Sequence, residues 1–168
     1  MGKKTEWSLN IDEWAKGSIK KVEAVKNAFA FAAYASVVKT TPVGHPDFDP
    51  ASGRARGNWN ISVGKPDLTV TDKREPRHNL SNMPKAKGDE TIYISNNLPY
   101  IKTLEYGGYP PEPKRGSHTR KGIKPPRWEI FSKGGFSKQA PNGMIAVTVA
   151  NKENLLKAAM RAADRIEE

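Results

Sequence analysis

The sequence predicts an α+β domain in which a long N-terminal helix and a C-terminal helix pack on a small antiparallel β-sheet. Three patterns carry that expectation. Ile11, Trp14, Ser18, Val22, Val25, Phe29, Ala32 and Ser36 recur every three or four residues; Glu90 to Ser95 alternates apolar and polar positions; Leu155, Leu156, Ala159, Met160, Ala163 and Ile166 return to helical spacing. A chain of 168 residues has the length of one ordinary domain. At that size roughly 70% of the unfolded surface can be buried. Residues 1–168 are therefore read as a single domain, with long loops at 72–89 and 109–136.

The first helix is expected over Ile11 to Lys39. Asn10 can cap it, Glu13 stands where a carboxylate reaches back in a capping box, and Asp12 and Glu13 suit the positive end of the helix dipole. Lys16, Lys20, Glu23 and Asn27 lie off the apolar stripe. From Ala28 to Val38 the helix is apolar nearly all round, so it must be covered on more than one side. A lone domain of this size can manage that cover, but a neighbouring subunit would do it more easily, which makes Phe29, Phe31 and Tyr34 candidate interface residues. Pro42 disfavours helical geometry at Thr41, and Gly53 and Gly57 let the chain turn.

Trp59 to Val63 and Leu68 to Thr71 read as two strands, or as one interrupted at Gly64-Lys65-Pro66. Residues 72–89 are polar and read as a mobile loop; Glu90 to Ser95 is the clearest strand. Pro99 fits the first turn of a short helix in which Ile101, Leu104 and Tyr100 face inward until Gly107-Gly108. Met144 to Val149 is a strand by composition, yet Pro141-Asn142-Gly143 before it can also lead into a helix. Lys152 to Glu167 is expected to be helix, with Lys152, Lys157, Arg161 and Arg165 on its outer face.

The hydrophobic fraction of 36% and mean hydropathy of −0.70 are low for such a domain. Part of the chain is thus expected in solvated loops or in contacts made on assembly, and a self-sufficient enzyme is less expected. With no cysteine, disulfides and thiolate metal sites are excluded. The polar start and the lack of any apolar run near the roughly 20 residues that span a bilayer point to a soluble protein with no membrane partner. A net charge of +10 implies attraction to nucleic acid, an anionic surface or acidic proteins. Lys114, Arg115, Arg120, Lys121, Lys124 and Arg127 fall together with no carboxylate between them and form the candidate contact loop.

Residues with catalytic or ligating chemistry are few. His45, His78 and His118 sit in Pro- or Gly-rich polar stretches without shared spacing and read as solvated. Asp47 and Asp49 flank Phe48, but a calcium loop carries more oxygen ligands at fixed offsets. No phosphate-cradling glycine loop, nucleophile elbow or zinc-helix motif occurs, and no cofactor is nominated. Arg54 and Arg56, two residues apart, read either as a solvated pair or as a fork meeting a carboxylate, Glu105 for example, across a subunit boundary. Trp59, Tyr100 and Tyr106 read as core and sheet-covering aromatics.

Three ordered segments carry a resemblance: Thr41-Pro42-Val43 followed by Gly53 and Asn58-Trp59, then Tyr100 with Leu104-Glu105-Tyr106-Gly107, then Gln139-Ala140-Pro141 with Gly143-Met144. Together they resemble the tail-completion and head-tail joining proteins of tailed bacteriophages. The Asp-Thr pair usual after the first motif is replaced here by the longer insert Gly44 to Ser52. The resemblance reaches about two thirds of the chain. It implies a neck or tail-terminator-like virion domain, assembled in the host cytoplasm as a homo-oligomeric and often hexameric ring at the head-tail junction. It also implies neighbouring neck, connector or tail-tube proteins as partners, non-specific contact with the genome DNA passing through, and no catalytic residues. The alternative from another class is a basic, sequence-independent nucleic-acid-binding module.

Overall fold

A computed structural model describes residues 6–43, 53–107, 136–137 and 139–165, and the α+β expectation holds in it. Helix α1 spans Glu6–Thr40, a single turn α2 spans Arg54–Gly57, and strands β1 (Asn60–Val63) and β2 (Ile92–Ser95) form the sheet. Helices α3 (Ile101–Tyr106), α4 (Ile145–Ala150) and α5 (Lys152–Asp164) complete the order. The strands pair antiparallel, with Ile61 opposite Ile94 and Val63 opposite Ile92.

Helix α1 starts a turn earlier than the capping pattern implies, which places Asn10 inside the helix. Nothing between Glu6 and Asn10 breaks a helix, and an interior Asn costs at most about 0.7 kcal/mol. At its other end the Thr41 amide still donates to the Val37 carbonyl at 3.0 Å, and Pro42 stops the ladder. Helices α4 and α5 run back along α1: Thr148 shares a hydroxyl hydrogen bond with Ser36 at 2.8 Å, and Asp164 pairs with Lys21 at 2.7 Å. Ala159 and Ala163, both buried, let α5 lie close to α1.

The core gathers Tyr34 and Val37 from α1, Trp59 and Ile61 from the start of the sheet, Leu104 from α3, and Met144 just before α4. The all-round apolar end of α1 is thus covered largely by this same chain. Tyr34, expected at a subunit interface, is only 2% exposed within it.

The expected strand over 68–71 is not one. Its backbone bonds instead to asparagine side chains: Asn58 Nδ2 donates to the Thr71 carbonyl at 2.8 Å and its Oδ1 accepts from the Thr71 amide at 2.7 Å. Two residues on, Asn60 Nδ2 donates to the carbonyls of Asp67 and Thr69. An asparagine amide offers the same donor and acceptor as a peptide, so Asn58 at the end of α2 and Asn60 at the start of β1 together substitute for a neighbouring strand.

Residues 72–89, expected as a mobile loop, are fastened along α1. The Tyr34 hydroxyl accepts from the His78 amide, Asn27 exchanges two hydrogen bonds with Ala86, and Glu23 accepts from Gly88. Their polar composition reflects hydrogen bonds met within the protein as well as by water. Near Gly57 the approach is so close that a Cβ there would overlap the Lys73 carbonyl.

Candidate functional site

Glu105 lies at the end of α3 and is 2% exposed, an unusual place for a carboxylate. Its Oε2 accepts from the backbone amides of Met144 at 2.6 Å and Ile145 at 3.1 Å, and its Oε1 accepts from Ala146 at 3.1 Å. These are amides at the start of α4, which have no acceptor within the helix. The carboxylate thus acts as a cap supplied from forty residues away, and its charge is balanced by three N–H dipoles. Gly143, at φ 70°, brings the chain into this position; a Cβ on it would stand 2.6 Å from Glu105 Oε1. The Glu105 carbonyl accepts from the Ser137 amide at 3.3 Å, so one residue fastens the return of the chain twice.

This contact resolves the open reading at 144–149. Ile145-Ala146-Val147-Thr148-Val149 is rich in β-branched residues, yet it forms α4 because Glu105 satisfies its first amides. It also removes Glu105 as a free acceptor for an arginine fork. Arg54 instead pairs with Asp72 at 3.0 Å, and Arg56 donates to the Thr41 carbonyl at 3.0 Å. The two arginines lie on the helical turn α2, not on extended chain.

The first segment of the resemblance is bonded in the same manner. Trp59 Nε1 donates to the Thr41 hydroxyl at 2.7 Å, and that hydroxyl donates to the Val37 carbonyl. Trp59, Leu104, Ala140 and Met144, drawn from all three segments, meet in one core cluster. Tyr100 and Tyr106, expected among the core and sheet-covering aromatics, are 40% and 59% exposed and do not belong to the buried core.

Beside this cluster, sharing Tyr34 with it, lies an open groove of about 730 Å³ between α1 and residues 75–81. Phe31, Tyr34 and Val38 form one wall, Pro76 and Leu80 the other, and Arg56 reaches one side. Of the expected interface residues, Phe29 and Phe31 are half-buried, and Phe31 lines this groove. Leu80 is 75% exposed.

His78 contradicts its solvated reading. Its ring stands edge-on to Tyr34 at 5.8 Å, and both ring nitrogens are buried with no hydrogen-bond partner. Burial holds its pKa below the ordinary histidine value, and the nearby Arg77 charge acts in the same direction. The Tyr34 hydroxyl is raised above the ordinary tyrosine value by the same desolvation. Asp67 is held below the usual carboxylate range, chiefly by hydrogen bonds from Thr69.

No family model matches the chain, and no curated protein or solved structure matches it. Among the described residues, no cluster of His, Asp or Glu could hold a metal ion, and no helix is long and apolar enough to cross a membrane. His45, His118, Asp47, Asp49 and the basic contact loop Lys114, Arg115, Arg120, Lys121, Lys124 and Arg127 lie outside the described residues.

Sequence reasoning missed the roles of Asn58, Asn60 and His78. The i, i+2 spacing of two asparagines at the mouth of a strand was a usable signal, because each amide carries the donor and acceptor of a peptide. For His78 no local signal exists, since its surroundings come from α1, forty-four residues away.

Proposed function

We propose that this chain is a non-enzymatic structural protein of a tailed-phage virion, a ring-forming neck component that completes or terminates the tail and supports head-tail joining. One observation carries the reading: the three segments of the resemblance, far apart in sequence, converge on one core through Trp59, Leu104, Ala140 and Met144. Residues that define a shared fold are expected to bond to one another, as Trp59 does with Thr41 and Glu105 with residues 144–146. On this reading the partners are further copies of the chain and the adjacent neck, connector or tail-tube proteins, and the protein resides in the virion.

The net charge of +10 suits a ring through which DNA passes, and contact with that DNA is expected to be weak, salt-sensitive and indifferent to sequence. The test is electron microscopy and native mass spectrometry of the purified protein, alone and with its docking partner, together with mass spectrometry of purified particles. Rings and presence in the particle are expected. A strict monomer under both conditions, absent from particles, overturns the reading. Tight binding to one DNA sequence would replace it with the nucleic-acid-binding alternative.

A further inference from the structure

The segment from Glu75 to Gly88 runs along α1 as a strap, and its two ends are fastened differently. At the far end Asn27 donates to the Ala86 carbonyl at 2.9 Å and accepts from the Ala86 amide at 2.8 Å, while Lys26 donates to the Gly88 carbonyl at 2.7 Å. At the near end Arg77 donates to Asn60 Oδ1 at 2.5 Å, the His78 amide donates to the Tyr34 hydroxyl at 3.3 Å, and the imidazole packs edge-on against the Tyr34 ring, so lifting this end must also release Arg77 from β1.

Neither nitrogen of that imidazole has a partner, and both are closed off from solvent. A neutral ring endures this at the cost of unmade hydrogen bonds. An imidazolium has two N–H donors and a full charge to satisfy; the Asn82 backbone stands near enough to favour one of those donors, but burial outweighs it and the second donor and the charge are left unmet.

The charged groups around it offer little relief. Arg77, next in the chain, is a cation. Asp67 is the carboxylate facing the ring, but it already accepts from the Thr69 amide at 2.8 Å and lies 3.7 Å from Arg77. Tyr34 presents a neutral hydroxyl already used by the strap backbone. On the groove walls Lys39 and Arg56 outnumber Glu75.

We propose that residues 75–81 form an acid-released latch, seated on Tyr34 while His78 is neutral and lifted from α1 when His78 takes up a proton, uncovering Phe31, Tyr34 and Val38. The lifted strap binds a proton with ordinary histidine affinity, near pH 6.5, and the seated strap binds it more weakly. The equilibrium is therefore flat above about pH 6.5 and moves toward the lifted state as the pH falls below it. The movement stops once the pH is low enough to protonate the seated form. The surface uncovered is apolar and lies on the helix end that carries the core, so acid would widen an open groove into a larger apolar face. The latch operates within a single chain and is independent of the ring proposed above.

Hydrogen exchange read by mass spectrometry on the full chain, at pH 7.5 and 5.5 and corrected for intrinsic rates, tests it. Protection of residues 77–82 is expected to fall between the two, by at most about tenfold, since one pH unit of the interval lies below the value of the lifted strap. Amides of β1, β2 and the middle of α1 should be unchanged. His78→Phe keeps the aromatic contact with Tyr34 without a titrating group and should hold its protection at both values. Unchanged protection in the wild type, or an equal loss in His78→Phe, overturns the latch. Should that variant fail to fold, the wild-type His78 ring proton titration by NMR decides instead: a midpoint below 6.5 is expected, and one at or above it overturns the proposal.

Discussion

Glu105 and His78 both hold polar atoms away from water, and the protein treats them oppositely. The carboxylate is met by three backbone amides and fixes where a helix begins. The imidazole nitrogens are met by nothing, and the ring serves as an apolar plate against Tyr34. Enclosure is thus not what makes a polar group stabilising; the supply of partners is. A charge can be kept inside where dipoles are already aimed at it, whereas a titratable ring can be kept inside only as long as it stays neutral.

The largest effect is expected at Glu105. Its replacement by Ala leaves three amides without an acceptor and is expected to cost about 3–5 kcal/mol, shifting the melting temperature by about 10 °C or more. Glu105→Gln retains one acceptor oxygen and should recover part of the loss. Urea unfolding of both variants checks this, and equal stability of Glu105→Ala and wild type would show that water readily replaces the carboxylate.

Next comes Asn58, whose side chain donates to the carbonyls of Arg54 and Thr71 and accepts from the Thr71 amide. Asn58→Ala is expected to cost about 2–3 kcal/mol, and hydrogen exchange should reveal the loss first at Thr71. His78→Phe predicts the reverse sign. Removing two unpartnered nitrogens should stabilise the protein by about 1 kcal/mol at pH 7.5, and by more at pH 5.5, where only the wild type pays a protonation penalty. Thermal melts at the two pH values measure both effects. Smallest of all is Arg54→Ala: the Asp72 carboxylate it pairs with is 94% exposed, so the change should stay within about 0.5 kcal/mol by the same melts.

Where the sequence was readable, the controlling interactions were local or periodic. The apolar repeat of α1, the alternation of β2 and the amphipathic pattern of α5 each report which face is buried, and each element formed where expected within a few residues. Where it was not readable, a partner distant in sequence decided the outcome. Residues 145–149 are strand-like until Glu105 receives their amides, and 68–71 would pair as a strand if Asn58 and Asn60 did not already occupy its backbone. The polar strap 72–89 looks solvated because composition records how many hydrogen bonds a segment needs but not who makes them. For the site, the motif residues could be selected from the sequence, yet not their mutual bonding, since Trp59 to Thr41 and Glu105 to Met144 are contacts of the folded chain alone.

The double fastening at Glu105 has a consequence for how this chain can vary. The backbone leaves the described fold after Gly107 and re-enters at Phe136, and the Glu105 carbonyl and carboxylate hold the returning chain at Ser137 and at 144–146. Glu105 thus holds both sides of the stretch 108–135 by itself, so the length of that stretch does not set the geometry of the described fold. Doubling that length would add only about 0.6 kcal/mol of closure entropy. The stretch 108–135 can therefore be lengthened, shortened or exchanged to suit a new neighbour while Trp59, Leu104 and Met144 remain in place, which makes it a position on this scaffold where inserted sequence is readily accommodated.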